Sequence, residues 1–181
     1  MSVTYSVGMP DPTQDLLDPT EDEEVRWLDD AEQDMWVNFV PMMLRLQLEL
    51  DRQLQRDSGL SLIEYFMLSG LSEHPDHTMR MSRIASWTGA QLPRLSQMAA
   101  RMEARGWIVR RPDPADGRAT LATLTEAGLE VVRAAAPGHV QQVRRLLLDP
   151  LTRAQMSKLG VISTRIMHAI SPDETFTRPE R

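Results

Sequence analysis

Residues 81–128 carry the pattern that most restricts the fold of this chain: two short helices followed at once by a β-hairpin. Apolar or small residues hold the positions at which two helices can cross around a short turn, namely Ile84, Ala85, Gly89, Leu95 and Met98. Two β-prone segments follow, Trp107–Arg111 and Ala119–Leu124, with the turn-forming residues Pro-Asp-Pro-Ala-Asp-Gly between them. A helix that can fill a major groove, followed by a hairpin that ends in Gly117-Arg118, predicts a winged helix that binds DNA.

The charge distribution agrees with a polyanionic partner. The whole chain has a formal net charge of -6, but residues 1–34 alone contribute -10, from eleven acids and a single base, Arg26. Residues 78–120 carry eight arginines against three acids, a local charge of +5. The basic charge therefore lies in the segment that is expected to meet DNA.

Composition excludes several classes of protein. The length of 181 residues suits one domain with a sizeable core. The chain has no cysteine, which excludes disulfides, thiolate metal sites and thiol redox sensing. It has no apolar run near the roughly 20 residues that span a bilayer and no basic and apolar leader, so we expect a cytoplasmic protein without membrane contact.

Motifs for catalysis and for metal binding are missing from the sequence. Gly-x-Ser-x-Gly, a phosphate loop and His-Glu-x-x-His do not occur, so we predict neither enzyme activity nor a cofactor. His74 and His77 lie three apart beside a carboxylate, but Pro75 keeps them off a regular helix and a metal would need further ligands. We therefore predict no metal site.

Polar residues that begin helices place the boundaries around the winged helix. Ser61 and Thr152 each open a capping box, and Thr125 caps a long helix that runs through Leu148. Thr78 is a candidate cap for the first helix of the helix-turn-helix. Pro41 interrupts an earlier helical period, so either that helix kinks there or a new helix begins with Pro41 in its first turn.

The predicted fold class is mainly α with a small β-wing, a winged helix-turn-helix core flanked by N- and C-terminal dimerisation helices. The segments are a disordered acidic tail (1–24), an N-terminal dimerisation helix region (25–60), the DNA-binding domain (61–124), C-terminal dimerisation helices (125–172) and a flexible tail (173–181). The terminal helices carry more apolar surface than one small winged helix can cover. A second copy of the chain can bury that excess, so we expect a homodimer.

The motif residues resemble the MarR family of bacterial winged-helix repressors. The family hallmark is an Asp-x-Arg at the wing tip, then a strand, then Leu-Thr-x-x-Gly at the start of a long helix. Here these are Asp116-Gly117-Arg118 and Leu124-Thr125-Glu126-Ala127-Gly128. The segment from Met102 to Trp107 matches the family's Leu-Glu-x-x-Gly-hydrophobic end of the recognition helix. The resemblance runs from about Trp27 to about Ile170.

The resemblance implies a homodimer with interlocked terminal helices. It also implies a small aromatic acid as effector, bound where the dimerisation helices meet the winged helix. Residues from the appropriate helices are Trp36, Met43, Arg45 and Tyr65, although the sequence assigns none of them as a ligand contact. An effector would stabilise a dimer geometry whose recognition helices no longer match successive major grooves.

Polar residues early in the second helix of the helix-turn-helix are the predicted DNA contacts: Pro93, Arg94, Ser96, Gln97 and Arg101. Arg94 can bind guanine O6 and N7, and Gln97 can pair with adenine N6 and N7. Ser96 suits a phosphate or a base, and Arg101, one turn further along, is better placed for a phosphate. The alternative is an ordinary solvated helix face.

Arg118 at the wing tip has two possible roles. It can enter the minor groove, where narrow A·T-rich segments attract arginine, or it can pair with Asp116 and stiffen the hairpin. The family resemblance favours the minor groove, with Asp116 orienting the arginine and Gly117 permitting a tight bend. Other arginines in the segment are phosphate contacts at most: Arg80, Arg83, Arg110 and Arg111.

The sequence thus predicts a homodimeric transcriptional regulator that binds double-stranded DNA at a pseudo-palindromic operator and obstructs polymerase. A small-molecule effector is a possible second partner. The rival interpretation is a winged-helix protein-interaction module without specific DNA binding, and the arginines around the wing argue against it.

Overall fold

The computed structural model describes residues 25–172, which form helices and one small antiparallel sheet. The elements are α1 (Asp30–Ser58), α2 (Leu62–Glu73), β1 (Thr78–Arg80), α3 (Met81–Thr88), α4 (Leu92–Ala104), β2 (Ile108–Asp113), β3 (Asp116–Leu124), α5 (Glu126–Val143), a π-helical turn (Arg144–Leu148) and α6 (Arg153–Ile170). This order confirms the predicted winged helix-turn-helix between helices from both ends of the chain. The tails predicted at 1–24 and 173–181 lie outside the described residues.

The described residues divide into two compact units. One unit ends at Phe39 and the other begins at Val40. The whole winged helix belongs to the second unit. No helix in the described part of the chain is both long enough and apolar enough to cross a membrane.

Three helices begin at the capping residues that the sequence predicts. At α2, the Ser61 hydroxyl accepts a hydrogen bond from the Glu64 N–H (3.2 Å), and the Glu64 carboxylate accepts one from the Ser61 N–H (2.8 Å). Thr152 and Gln155 form the same reciprocal box at α6. The Thr125 hydroxyl accepts the N–H three residues further on, at the start of α5. Each cap satisfies backbone donors that have no partner inside the helix, a contribution of typically about 1 kcal/mol.

The turn between α3 and α4 depends on Gly89. This residue lies in the left-handed region at φ 66°, where glycine is under no strain from a Cβ atom. Its N–H donates to the carbonyl groups of Ala85 and Ser86 and so ends α3. Pro93 then lies in the first turn of α4, where its missing N–H costs no helical hydrogen bond. These two residues thus mark the end of α3 and the start of α4.

The sheet has three strands in the order β1-β3-β2, where the sequence predicted two. Thr78 belongs to the additional strand. It pairs with Thr123, and the two hydroxyl oxygens lie 2.9 Å apart. The prediction that Thr78 caps α3 is therefore wrong, because Thr78 pairs with β3 while Arg80 takes the N-cap position without a side-chain hydrogen bond.

The wing strands are longer than predicted. β2 and β3 extend into the expected turn and leave only Pro114 and Ala115 between them, with a register shift between Pro112 and Asp113. Gly117 lies within β3, and its φ is outside the left-handed region. The bend that we assigned to Gly117 is therefore made by the two residues before Asp116.

Two prolines lie inside continuous helices. α1 runs through Pro41, which resolves the open choice in favour of one helix rather than two. α5 runs through Pro137 and passes into the π-helical turn, so that helical backbone continues to Leu148 as predicted. The chain leaves the helix at Asp149-Pro150.

The core lies within the winged helix and the helices that contact it. Its fully buried large side chains are Leu54, Leu60, Met67, Leu68, Leu71, Ile84, Leu95, Met102 and Ile108. Most of them lie in α2 and in the two helices of the helix-turn-helix. The second helix of the helix-turn-helix, α4 (the recognition helix), and the wing thus pack against the same core.

Candidate nucleic-acid interface

Helix α4 separates an apolar stripe from a polar face. The stripe is buried and consists of Leu95, Met98, Ala99 and Met102. Four predicted DNA contacts are exposed, namely Pro93, Arg94, Gln97 and Arg101, and Ser96 is half-buried. Neither Arg94 nor Arg101 makes an ion pair with another described residue. Both guanidinium groups are therefore available to an anionic partner.

A cleft of about 290 Å³ lies between the beginning of α4 and the wing. Its lining includes Ser82, Leu92, Ser96, Arg110, Asp116 and Arg118. Of the predicted contacts, Ser96 from α4 and Asp116 and Arg118 from the wing thus meet at this cleft, although they lie about twenty residues apart in the sequence. Arg94 and Arg101 line a different cleft.

Asp116 contacts the backbone of Arg118. Its carboxylate accepts a hydrogen bond from the Arg118 N–H at 3.2 Å. The Arg118 guanidinium is exposed and makes no ion pair with any residue that the structure describes. Asp116 therefore stabilises the strand that carries the arginine, and the guanidinium itself is not tied to this carboxylate.

Two arginines that we predicted as possible phosphate contacts are paired with carboxylates. Arg80 Nη2 lies 2.6 Å from Asp113 Oδ2, and Asp113 is buried. The Ala115 N–H and the Arg80 guanidinium together hold the pKa of Asp113 below its usual value. Arg110 donates to the Glu103 carboxylate through its side chain and its backbone N–H. Sequence reasoning missed both pairs, since neither has the spacing of neighbours on one helix.

The Leu-Thr-x-x-Gly motif joins the wing to α5. The Thr125 hydroxyl, besides capping the helix, donates to the Gly106 carbonyl oxygen at 2.6 Å. A Cβ atom at Gly128 would overlap the carbonyl oxygen of Trp107, so only glycine allows this approach. The motif therefore fixes the start of α5 against the end of the recognition helix.

A second cleft, of about 450 Å³, lies between the second half of α1, the start of α2 and α4. Its lining includes Leu48, Asp51, Ile63, Arg94, Met98 and Arg101. It lies where the resemblance implies an effector, at the meeting of a terminal helix with the winged helix. Of the residues considered for that role, Met43 and Arg45 are exposed on α1, Trp36 is exposed in the N-terminal unit, and Tyr65 is buried.

The two neighbouring histidines make separate contacts. His74 contacts Asp76, and His77 Nδ1 lies 3.2 Å from the carbonyl oxygen of Leu71. Within residues 25–172 no group of three or more histidine, aspartate or glutamate side chains is arranged to hold a metal ion.

Comparison with known proteins assigns the family. The model of the MarR family matches residues 58–119. The chain is 38% identical to Sco3205, a MarR family transcriptional regulator from Streptomyces coelicolor solved in complex with DNA, with a TM-score of 0.79 over 86% of this chain and 98% of that one. It is 35% identical to AbsC, a MarR family transcriptional regulator from the same organism, with a TM-score of 0.76 over 82% and 100%.

A curated relative agrees with this assignment. The transcriptional repressor MprA of Escherichia coli (strain K12) is 25% identical over 122 residues, which are 62% of this chain and 69% of that protein. The match to Sco3205 covers nearly the whole of that chain. The resemblance drawn from the sequence motifs is confirmed, and so is the prediction that the protein is not an enzyme. This chain belongs to the MarR family of transcriptional regulators.

Proposed function

We propose that the protein is a homodimeric repressor that binds a pseudo-palindromic operator through α4 and the wing. The observation that carries the proposal is the pair of exposed guanidinium groups on these two elements. Arg94 lies in the first turn of α4, Arg118 lies at the wing, and neither is neutralised by a described carboxylate. Arg94 reads guanine in the major groove, and Arg118 enters the adjacent minor groove.

The remaining contacts follow from their positions on α4. Gln97 is exposed one turn after Arg94 and pairs with adenine. Ser96 and Arg101 contact phosphates, which fix the register of the protein on the duplex. Support comes from the 38% identical Sco3205, whose structure was solved with DNA.

Dimer formation is supported by apolar side chains that one copy leaves exposed. On α6 these are Ile162, Ile166 and Ile170, which share one face, and on the middle of α1 they are Met42, Met43, Leu44 and Leu48. A two-fold dimer buries both sets and presents two recognition helices to half-sites about one helical turn apart. Binding of this dimer over a promoter obstructs polymerase, and the name of MprA as a repressor agrees with that mode.

The cleft of about 450 Å³ supports the proposal of a small-molecule effector. The apolar part of its lining, Leu48, Ile63 and Met98, suits an aromatic ring, while Arg94 and Arg101 suit a carboxylate. A small aromatic acid bound there engages the same guanidinium groups that contact DNA. Its binding and operator binding therefore oppose each other.

Selection of DNA fragments from a random pool by the purified protein tests the proposal. We expect enrichment of an inverted repeat. Arg94→Ala then costs about 1–3 kcal/mol on that site and relaxes preference at one base pair in each half-site. Arg101→Ala weakens binding to all sequences alike and lowers the salt dependence by about one ion per contact.

Arg153→Ala, which removes an exposed arginine at the start of α6, serves as the matched control and should leave binding unchanged. Equal affinity for all sequences, with no enrichment, would instead favour the interaction module.

A further inference from the structure

The Arg110 side chain connects the wing to the recognition helix. From its position in β2, its Nε and Nη2 both donate to Glu103 Oε2, at 3.0 and 2.8 Å. Its Nη1 donates to the carbonyl oxygen of Ser96 at 3.3 Å. One guanidinium group thus contacts α4 at two positions that lie two turns apart.

Both oxygens of the Glu103 carboxylate accept hydrogen bonds from Arg110. Its second oxygen, Oε1, accepts the backbone N–H of Arg110 at 2.7 Å. These hydrogen bonds hold the pKa of Glu103 below its usual value. The side chains are 27% (Arg110) and 35% (Glu103) exposed, so water competes only partly for their hydrogen bonds.

The location of this pair allows it to control the orientation of the wing. Only three residues, 105–107, connect α4 to β2, and the hairpin then extends away from that junction. Arg110 also lines the cleft between α4 and the wing, together with Ser96 and Arg118. A rotation of the hairpin away from α4 would widen this cleft and break the side-chain bonds of Arg110.

We propose that Glu103 and Arg110 are positioning residues for DNA recognition. They fix the wing against α4, so that Arg94 and Arg118 reach adjacent grooves of one duplex at the same time. The inference rests on the proposed function in one respect, the roles of Arg94 and Arg118. It assigns Arg110 a role within the protein rather than the phosphate contact that its basic segment suggests.

DNA binding by Glu103→Ala and Arg110→Lys separates the two roles. If the pair positions the wing, both variants lose roughly tenfold or more in affinity for the selected operator, the scale of a charge-assisted hydrogen bond. The ratio of operator affinity to random-DNA affinity therefore decreases, and adding Arg118→Ala costs less than it does in the native protein. Glu103→Gln keeps an oxygen for the Arg110 N–H and should restore part of the loss.

A phosphate contact predicts the opposite pattern. Arg110→Lys would then retain binding because the charge is kept, and Glu103→Ala would tighten binding to every sequence because an acid is removed. Either result overturns the proposal. The matched control is the pair Glu126–Arg133 on α5, which has the same residue types and spacing but is exposed on both sides. Glu126→Ala and Arg133→Lys should change neither affinity.

A measurement without DNA tests the positioning directly. Since the chain has no cysteine, spin labels can be placed at Ala100→Cys on α4 and Ala115→Cys in the hairpin turn alone. Labelled chains diluted in unlabelled protein report the distance within one copy by double electron–electron resonance. We expect one narrow distribution that broadens or shifts with Glu103→Ala and with Arg110→Lys.

An unchanged distribution in both variants overturns the inference even if operator binding stands. If the native protein selects no DNA sequence, the proposed function fails, and the distance measurement still decides whether this pair holds the wing.

Discussion

The winged helix and α6 both carry large apolar side chains, but these side chains are buried in the first and exposed in the second. Within the winged helix, Leu68 and Leu95 are 0% exposed and Ile108 is 1% exposed. In α6, by contrast, none of the eighteen residues is buried by any part of the chain that the structure describes, and Ile162 and Ile170 remain 51% and 68% exposed. The first region buries its apolar side chains within one copy, whereas the second leaves a continuous apolar stripe open.

The difference indicates what each region contributes. Full burial of a side chain such as isoleucine stabilises by about 1.5–3 kcal/mol, so a stripe of three isoleucines offers a substantial gain to whatever covers it. A scattered exposed leucine would carry no such implication, but a contiguous stripe on a capped helix does. Folding of the winged helix and association through α6 should therefore respond to different substitutions.

The largest effect is expected from charges placed in the α6 stripe. The double variant Ile162→Glu and Ile166→Glu should abolish dimer formation, because two unpaired carboxylates would be buried at the interface. Operator affinity should fall by roughly a hundredfold or more, since one copy can hold only one half-site. Sedimentation and gel retardation measure the two effects.

Ser157→Glu adds a charge on the opposite side of α6 and provides the control. If the double variant with glutamate at positions 162 and 166 still formed a dimer with native operator affinity, the apolar stripe of α6 would not serve association as proposed.

A truncation in the core should act on folding instead. Leu95→Ala removes a fully buried side chain of α4 and should lower the free energy of unfolding by about 2–5 kcal/mol. The dimer dissociation constant of the folded protein should not change. Ile166→Ala should show the reverse, a weaker dimer and a smaller loss in the unfolding of each copy. If both variants weaken the dimer equally in urea and sedimentation experiments, the two regions form one cooperative unit.

The features that the sequence predicts well are those fixed by neighbours along the chain. The caps at Ser61, Thr125 and Thr152 involve residues only three positions away, and the stripe of α4 follows from helical periodicity. The MarR motif was found for the same reason, because its residues lie in one short segment.

The features that it misses depend on distant partners. The strand at Thr78 exists because Thr123, 45 residues later, pairs with it. The contacts of Arg80 and Arg110 likewise require the wing to be folded before their carboxylates come within reach. A basic segment therefore overstates the charge that is available to DNA, since two of its eight arginines are neutralised internally.

At the wing, substitutions should affect DNA binding and leave the dimer unchanged. Arg118→Ala should cost about 1–3 kcal/mol and lose most on operators with A·T-rich flanks. Asp116→Ala should also weaken binding, although it removes a negative charge, because the Arg118 N–H loses its acceptor. Asp116→Asn keeps an oxygen there and should bind better than Asp116→Ala. Titrations at fixed salt would contradict this role if Asp116→Ala bound as tightly as the native protein.

The smallest effect concerns His139, which lies on the helix between the winged helix and α6. His139 is 7% exposed, and its ring centroid lies 4.4 Å from that of Tyr65 on α2. Its Nδ1 is buried without a hydrogen-bond partner among the described residues, and burial lowers the pKa of the imidazole below 6.5. The unfolded chain therefore takes up the proton more readily than the folded chain does.

The sign of the pH dependence follows from the lower pKa of His139 in the folded state. Above pH 6.5 the histidine is neutral in both states and its contribution to stability is complete. As the pH falls below that value, the free energy of unfolding decreases by at most about 1.4 kcal/mol for each pH unit. The pKa values of the Glu103 and Asp113 carboxyl groups are also lowered in the folded state. Their contribution to the free energy of unfolding is lost only as the pH falls below their usual pKa values of 4.5 and 3.8. The interval between pH 6.5 and 5 thus isolates the histidine.

Urea unfolding at pH 7.5 and at pH 5.5 measures this effect. His139→Phe keeps a ring against Tyr65 but cannot be protonated, so it should remove the decline seen in the native protein. His168→Phe, on the exposed surface of α6, should preserve it. Packing of α2 against α5 buries the His139 imidazole and so opposes its protonation. An equal decline in the His139→Phe variant would therefore assign the acid sensitivity to other groups. A decline that appears in the dimer dissociation constant rather than in unfolding would show instead that the junction couples the winged helix to the terminal helices.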